Sequence, residues 1–301
     1  MAGQSGIVSI NQIMKKIATI LPTPDGHWVG DGFPVRGMFD ELAFTPDISP
    51  FLMLDYGGPA KFTPTDARRG VGGHPHKGFE TVTIVYQGEV EHRDSVGHHG
   101  TIGPGDVQWM TAASGLLHDE FHSRAFAKKG GMFEMVQLWV NLPAKDKKTP
   151  PKYQSILNDT IPVVSLENGA GLVRVIAGNF RDTTGAASTF TPINVWDIRL
   201  KAGSKSEISV PEGYMTALFV LHGQLDFENA QSLSGPGLAI METSGDRILL
   251  NTKEDTSLLL LNGQPINEPI AARGPFVMNT EGEIREAMME FQRGKMGQLP
   301  E

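Results

Sequence analysis

The stretch Gly72–Glu80, with the sequence GGHPHKGFE, decides how the rest of the chain is interpreted. It places His74 and His76 two residues apart. Side chains with this spacing on an extended strand point to the same face, so one strand can aim both imidazoles at one point. Pro75 cannot donate a hydrogen bond to a neighbouring strand, which fits an edge strand at the mouth of a barrel. The stretch therefore predicts half of a metal site.

A second stretch, Gly115–Glu120 with the sequence GLLHDE, repeats the two-residue spacing with His118 and Glu120. Three imidazoles and one carboxylate form a mixed nitrogen and oxygen site, which suits iron, manganese, nickel, copper or zinc. Glu80 competes for the carboxylate position, because it could share the face of the first two histidines if their strand runs straight. The spacing alone leaves both Glu80 and Glu120 open as the carboxylate ligand.

Short runs of β-branched and aromatic residues alternate with glycine-containing turns in both halves of the chain. They predict strands at Phe51–Tyr56, Glu80–Tyr86, Glu89–Asp94, Val107–Thr111, His118–Phe121, Phe133–Val140, Gly171–Gly178, Ile193–Leu200, Tyr214–Leu221, Leu225–Phe227, Leu238–Glu242, Arg247–Asn251 and Ser257–Leu261. Spacings of about ten residues leave no room for crossover helices, which favours an all-β fold of antiparallel sandwiches or barrels. Trp109 and Trp139 lie in such runs and are interpreted as core residues.

The polar, proline-containing segment 143–153 is interpreted as a linker or long surface loop. It divides the chain into a first domain, residues 1–145, and a second domain, residues 146–301. Its lysines, Lys145, Lys147, Lys148 and Lys152, are interpreted as a solvated face rather than a basic contact patch. The turn Leu221–Gln224 resembles Tyr86–Glu89, which indicates a duplicated barrel.

The end of the chain predicts one helix. Thr280 is the expected N-cap, and Glu283 three residues later completes a capping box. Helical spacing gives an apolar face that must pack against a barrel wall, formed by Ile284, Ala287, Met288 and Phe291. Gly294 is the residue at which the helix is expected to end.

Composition narrows the class of protein. The chain has 301 residues, of which 40% are hydrophobic, so it can bury a core and is not disordered. Its net charge of -8 argues against broad electrostatic binding to nucleic acid or to an anionic membrane. It contains no cysteine, no basic and apolar leader and no apolar run long enough to span a membrane. We expect a soluble cytoplasmic protein.

The histidines are unevenly placed. Eight of the nine precede residue 151, and His222 is the exception. One histidine cannot build a comparable site, so metal is expected in the first half only. The glycine-flanked pair His98 and His99 is interpreted as surface or pocket rim. His92 and His122 could orient a ligand from behind, but solvated histidines are the preferred interpretation.

Five separated motifs, in the same order along the chain, resemble the pirin family of the cupin superfamily. They are HPHKGFETV from His74, PGDVQWMTA from Pro104, GLLHDE from Gly115, QLWVNL from Gln137 and GPFVMNT from Gly274. The resemblance implies two stacked cupin β-barrels, a bicupin, with metal in the N-terminal barrel only. It implies Fe(II), with other divalent first-row metals possible.

By the resemblance, the metal ligands are His74, His76, His118 and Glu120. The general cupin pattern would instead use the carboxylate at Glu80, which becomes an outer residue near the site. The chain departs from that general pattern where pirins do, with Arg68 at an expected glycine and Ala113–Gly115 at an expected Pro-x-Gly. Four protein ligands on an octahedral metal leave two positions for water, O2 or substrate.

Some pirins resemble quercetin 2,3-dioxygenase in activity, which implies a small aromatic substrate and O2. The hypothesis is that Glu120 takes the hydroxyl proton of a flavonol-like 3-hydroxy-4-ketone and that O2 then opens the ring. The alternative is a non-enzymatic regulator that senses the redox state of its metal. Such a regulator would bind a transcription factor or a metabolic enzyme rather than nucleic acid directly.

Overall fold

A computed structural model describes residues 13–40, 48–227 and 231–300 of the chain. The first half contributes strands β1 Ile17–Leu21, β2 His27–Val29, β3 Phe33–Asp40, β4 Phe51–Phe62, β5 Gly70–His76, β6 Phe79–Gln87, β7 Val90–Asp94, β8 His99–Ile102, β9 Val107–Thr111, β10 Leu116–His122, β11 Gly131–Asn141 and β12 Lys152–Ile156. The predicted all-β fold class is confirmed.

The second half contributes strands β13 Val163–Ser165, β14 Gly171–Ala177, β15 Asn179–Phe180, β16 Thr183–Thr184, β17 Ile193–Leu200, β18 Lys205–Ser209, β19 Met215–His222, β20 Gln224–Asp226, β21 Ser232–Ser234, β22 Gly237–Met241, β23 Arg247–Asn251, β24 Thr256–Gly263, β25 Ala271–Arg273 and β26 Phe276–Met278. Two α-helices are described, α1 Arg124–Lys129 and α2 Glu281–Gln292. Neither has the length and apolar character needed to cross a membrane.

Each barrel is built from a seven-stranded and a four-stranded sheet. The N-terminal barrel combines the order β12-β9-β6-β11-β4-β3-β2 with the order β5-β10-β7-β8. The C-terminal barrel combines β1-β22-β19-β24-β17-β14-β13 with β18-β23-β20-β21. Strand β1 precedes residue 145 but joins the C-terminal barrel, and strand β12 follows residue 145 but joins the N-terminal barrel. The division of the chain at residue 145 stays a prediction.

The largest apolar core lies where the two seven-stranded sheets face each other. It joins Leu54, Val82 and Trp109 of the first barrel to Phe219 and Leu259 of the second. All five are fully buried. Each such side chain stabilises the folded state by about 1.5–3 kcal/mol relative to exposure. A large apolar interface of this kind holds the barrels together.

Helix α2 begins and ends as the sequence predicts. The Thr280 hydroxyl accepts a hydrogen bond from the Glu283 backbone N–H, and the Glu283 carboxylate accepts one from the Asn279 N–H. The helix ends before Gly294, which has a φ of 68°. Phe291 is an exception on the predicted face, since it remains 41% exposed.

The wall that receives this helix belongs to the first barrel and the β25–β26 hairpin. Ile284 and Ala287 pack with Phe276 and Met278 of the hairpin, and Leu117 of β10 joins the same cluster. Helix α1, capped by the Ser123 side chain, was not predicted. Its six residues are too short for the helical period to stand out.

Segment 143–153 differs in two respects from the interpretation as a linker or long surface loop with solvated lysines. Residues from Lys152 onward form strand β12, which pairs with β9. Lys147 is only 1% exposed, and its amino group donates to Asn141 Oδ1, Gly78 O and Val277 O. The sequence could not reveal these acceptors, because two of them lie far away along the chain.

Candidate metal centre

The two histidine-bearing strands are neighbours. Strand β5 pairs antiparallel with β10, and His74 lies directly opposite His118. The Nε2 atoms of these two residues are 2.8 Å apart. The ring centroid of His76 lies 4.7 Å from that of His118 and 4.9 Å from that of His74. One ring nitrogen from each of the three residues lies within 4.8 Å of the others, so the predicted convergence of the imidazoles is observed.

The three rings offer free nitrogen lone pairs. His74 Nδ1 lies 2.9 Å from the Gly72 carbonyl oxygen, which accepts its proton and leaves Nε2 as the free nitrogen. Burial, strengthened by the neighbouring imidazoles, lowers the pKa of His76 and His118 well below the ordinary value. Both are therefore neutral at pH 7, which is the form that binds metal.

A test of whether this site fits a metal comes from His76. Its Nδ1 is buried and has no hydrogen-bond partner. A buried polar nitrogen without a partner is unfavourable, and a bond to a metal would satisfy it. The orphan nitrogen, the close pair of Nε2 atoms and the imidazole-rich donor set all fit a divalent metal.

The structure fixes the orientation of the Glu120 carboxylate. A bulge in β10 between His118 and Glu120 changes the register against β5. Gln108 Nε2 donates to Oε1 of Glu120 at 2.8 Å, and Gln137 Nε2 donates to Oε2 at 3.0 Å. Glu120 forms a second close group with His118 and His92. His118 is thus common to the three-histidine group and to the group that contains the predicted carboxylate.

Glu80 lies on a different face of the barrel wall. Thr83, three residues later on β6, points inward and its hydroxyl contacts Glu120. Alternation along the strand therefore turns Glu80 outward, to the side of Val82 in the core between the barrels. There it accepts a hydrogen bond from Thr111 Oγ1 at 2.7 Å. Burial raises the pKa of Glu80 to about 7, although this hydrogen bond acts in the opposite direction.

The interpretation of His92 as a solvated histidine is wrong. His92 is 1% exposed, and its Nδ1 lies 3.3 Å from Nδ1 of His118. Its ring stacks on Tyr153, and its Nε2 is 3.6 Å from Asp94 Oδ2. The cause is the pairing of β7 with β10, which sets His92 opposite Glu120. His92 is therefore in contact with one of the predicted ligands.

The interpretation of His122 as a solvated histidine is also wrong. It is 2% exposed, and Nε2 lies 2.8 Å from the Gly32 carbonyl oxygen. Its ring packs among the aromatic rings of Phe33, Phe62, Phe126 and Phe133. His122 therefore belongs to the aromatic core of the first barrel.

The rim prediction agrees with the structure at His98 and His99. His98 is partly exposed and stacks on Tyr153, and His99 is exposed. Trp109 is a core residue as expected, being fully buried between the barrels. Trp139 is only partly buried, and its ring centroid lies 5.3 Å from that of His76. Trp139 therefore lines the site.

Sequence reasoning missed three residues that support the site: Gln108, Gln137 and Tyr153. The two glutamines hold Glu120, and the Tyr153 hydroxyl donates to Gln108 Oε1 at 3.2 Å. Each glutamine interrupts a run of apolar strand residues. That interruption was the available signal, because a buried amide needs a partner.

Comparisons with known proteins agree with this geometry. The family model described as Pirin matches residues 32–140, and the one described as Pirin C-terminal cupin domain matches residues 195–297. The chain is 51% identical over 282 residues to a Pseudomonas aeruginosa protein named "Putative quercetin 2,3-dioxygenase", covering 94% of this chain and 98% of that protein. It is 37% identical over 271 residues to a "Pirin-like protein" of Solanum lycopersicum, covering 89% of this chain and 88% of that protein.

Solved structures show the same fold. The crystal structure of a quercetin 2,3-dioxygenase from Acinetobacter baumannii has a TM-score of 0.92 and 53% sequence identity to this chain. The match covers 95% of this chain and 99% of that one. The expected pair of cupin-type barrels is confirmed. From two family models and a relative aligned over nearly the whole length, the chain belongs to the pirin family.

Proposed function

We propose that the chain binds one divalent metal through His74, His76, His118 and Glu120 and acts as a quercetin 2,3-dioxygenase-type oxygenase. The observation that carries the proposal is the convergence of three imidazoles, one with an orphaned buried nitrogen, beside a carboxylate that two amides hold in place. Fe(II) is the proposed metal. The predicted cytoplasmic location is kept as part of the proposal.

The proposed chemistry assigns separate tasks to the protein side chains. A divalent metal, when bound, supplies the positive charge that makes the hydroxyl proton of a nearby enol more acidic. Glu120 accepts this proton, and Gln108 and Gln137 fix the orientation of its carboxylate by donating to its two oxygens. Trp139 offers an apolar face to an aromatic ring beside His76. The deprotonated flavonol then reacts with O2. Both oxygen atoms enter the product as the two ring bonds to the hydroxyl-bearing carbon break, that carbon leaves as carbon monoxide, and Glu120 returns the proton to the product.

The names of the Pseudomonas and Acinetobacter proteins support a flavonol as the substrate class. No contact of the described residues favours a protein partner over a small molecule. The alternative of a redox-sensing regulator that binds a transcription factor or a metabolic enzyme therefore stays a prediction.

The test is turnover of quercetin. The full chain is loaded anaerobically with Fe(II), O2 is admitted, and the absorbance of quercetin and the concentration of dissolved O2 are followed together. We expect both to fall in the wild type and in Glu80→Gln, and neither to fall in Glu120→Gln. If quercetin is not consumed with any first-row divalent metal, the dioxygenase proposal is rejected.

A further inference from the structure

The C-terminal arm, which we define as residues Ala271–Pro300, lies against the outer face of the strands that carry the proposed ligands. It comprises the β25–β26 hairpin, helix α2 and the segment that follows it. The ligand side chains point into the barrel, so the residues next to them in the chain point outward. These outward residues are the ones that the arm contacts.

The first contact follows His76 directly. Lys77 forms a parallel bridge with Phe276, in which the Lys77 N–H donates to Pro275 O and the Val277 N–H donates to Lys77 O. The approach is so close that a Cβ at Gly78 would overlap the carbonyl oxygen of Val277. The turn after His76 is therefore shaped by the arm.

The Lys77 side chain forms a second connection, to helix α2. Its Nζ lies 2.6 Å from Glu290 Oε2 and also donates to Ser114 O at 2.9 Å. Lys77 is only 7% exposed. A charge this deeply buried needs its partner, so Glu290 fixes the helix to the turn between the ligand residue and the next strand.

The arm also covers the strand that carries His118. Leu117 packs in the cluster formed by Ile284, Ala287 and Met296. Ser95 Oγ accepts a hydrogen bond from the Leu117 N–H at 3.0 Å and donates to Met296 O at 2.6 Å. The residue before His118 is thus held by apolar packing and by a bridging hydroxyl.

The last residues of the arm reach the neighbours of His74 and Glu120. The side chain of Leu299 lies over Gly73, where a Cβ would meet Leu299 Cδ1 at 2.7 Å. Arg93 Nη1 donates to Pro300 O at 2.8 Å, and Arg93 Nε pairs with Asp119 Oδ2 at 2.9 Å. Asp119 lies between His118 and Glu120 in the chain.

We propose that the C-terminal arm is a positioning element of the metal centre, holding the strands of His74, His76, His118 and Glu120 from behind. Each ligand has a chain neighbour that is connected to the arm, directly at Gly73, Lys77 and Leu117 and through Arg93 at Asp119. The inference rests on the proposed metal site. Because coupling between two sites is reciprocal, docking of the arm strengthens metal binding, and metal binding stabilises the docked arm.

The first test measures Fe(II) affinity under anaerobic conditions by competition with a chromogenic chelator. The full chain is compared with a variant that stops after Gly294, which keeps helix α2 but loses Met296, Leu299 and Pro300. We expect affinity to fall about 10- to 100-fold, as it does when outer partners of metal ligands are removed. Far-UV circular dichroism of the metal-free proteins checks that the truncated barrel is folded.

A point variant keeps the test valid if the truncated chain does not fold. Leu299→Asp places a charge against Gly73, whereas Gln298→Asp places the same charge on an exposed neighbour. We expect weaker Fe(II) binding only in the former. Equal affinity of wild type, Leu299→Asp and Gln298→Asp would overturn the positioning role while leaving the proposed function intact. A full chain that does not bind Fe(II) would overturn both.

The second test measures reciprocity by hydrogen exchange. The Val277 N–H, which donates to Lys77 O, should exchange more slowly after Fe(II) is added. The Gly213 N–H, which donates to Thr243 O in an exposed turn of the other barrel, serves as the control and should not change, because it exchanges through local opening. Unaltered exchange at Val277 in a chain that binds Fe(II) would count against the coupling.

Discussion

Replacement of Lys147 by methionine tests the buried contact that joins the C-terminal arm to the first barrel. The Lys147 amino group donates to Asn141 Oδ1 at 2.6 Å, Gly78 O at 2.7 Å and Val277 O at 3.0 Å. Methionine has a similar length but donates no hydrogen bond. At pH 9 the amine is neutral and can donate to two of these three acceptors at a time. Each buried acceptor that loses its donor costs about 1–3 kcal/mol, and removal of a buried amine offsets part of this cost. We expect a net loss of about 2–4 kcal/mol in the free energy of unfolding at pH 9.

The loss should depend on pH. Burial lowers the pKa of Lys147 from 10.5 to about 7, although the carboxylates of Glu268 and Glu283 act in the opposite direction. Between these values the unfolded chain holds a proton that the folded chain has released. Wild-type stability therefore rises with pH across this window, by about 2 kcal/mol from pH 7 to pH 9. The methionine variant lacks this contribution.

The assay is urea unfolding of wild type and Lys147→Met at pH 7 and pH 9. Lys148→Met serves as the matched control, because Lys148 is exposed and its replacement should change stability by no more than about 0.5 kcal/mol. The difference between wild type and Lys147→Met should be larger at pH 9. A difference that is the same at both pH values would refute the reasoning.

Three further substitutions test separate contacts. Burial raises the pKa of Glu80 to about 7, so the folded wild type keeps a proton that the unfolded chain has lost, and urea unfolding should show its stability falling by about 2 kcal/mol between pH 5 and pH 8. The variant Glu80→Gln should not show this fall, and parallel plots of stability against pH for the two proteins would contradict the prediction. Gly78→Ala should lower stability by about 2–4 kcal/mol through collision with a backbone carbonyl, and calorimetry should show a smaller loss for Gly97→Ala, which shares the positive φ but has open space. His92→Phe keeps an aromatic ring but loses the nitrogen beside His118, so chelator competition should show an Fe(II) affinity about 10- to 100-fold lower. The control His98→Phe should bind Fe(II) like the wild type. Equal weakening in both variants would argue against a specific role of His92 at the metal site.

Local pattern predicted much of the fold. The bounds of Val107–Thr111, Ile193–Leu200 and Arg247–Asn251 agree with the structure residue for residue. These runs are dense in β-branched or aliphatic residues and are closed by turns, so local preference and tertiary environment favour the same conformation. Helix α2 was predicted for the same reason, because its N-terminal cap is encoded within four residues.

Non-local contacts account for the errors. Lys147 was interpreted as solvated because it lies in a run of lysines, yet its acceptors include Gly78 and Val277. His92 is buried by the pairing of β7 with β10, which spacing within one strand cannot show. The pairing of the edge strands β1 and β12 with strands far away along the chain is likewise invisible to local pattern.

For the site, spacing predicted which histidines converge but left the carboxylate open between Glu80 and Glu120. The structure separates the two by the face of the strand on which each lies. Glu120 is held inside the barrel by Gln108, whereas Glu80 bonds Thr111 on the side of the second barrel. Which face Glu80 occupies depends on where strand β5 ends and strand β6 begins, and the spacing of residues in the sequence does not show this.

The most direct measurement of the central claim is an anaerobic Fe(II) titration of wild type, Glu120→Gln and Glu80→Gln. The account predicts that wild type and Glu80→Gln bind a single Fe(II) with the same affinity, and that Glu120→Gln binds at least about tenfold more weakly. The opposite order, with binding lost in Glu80→Gln and kept in Glu120→Gln, would contradict the proposed ligand set.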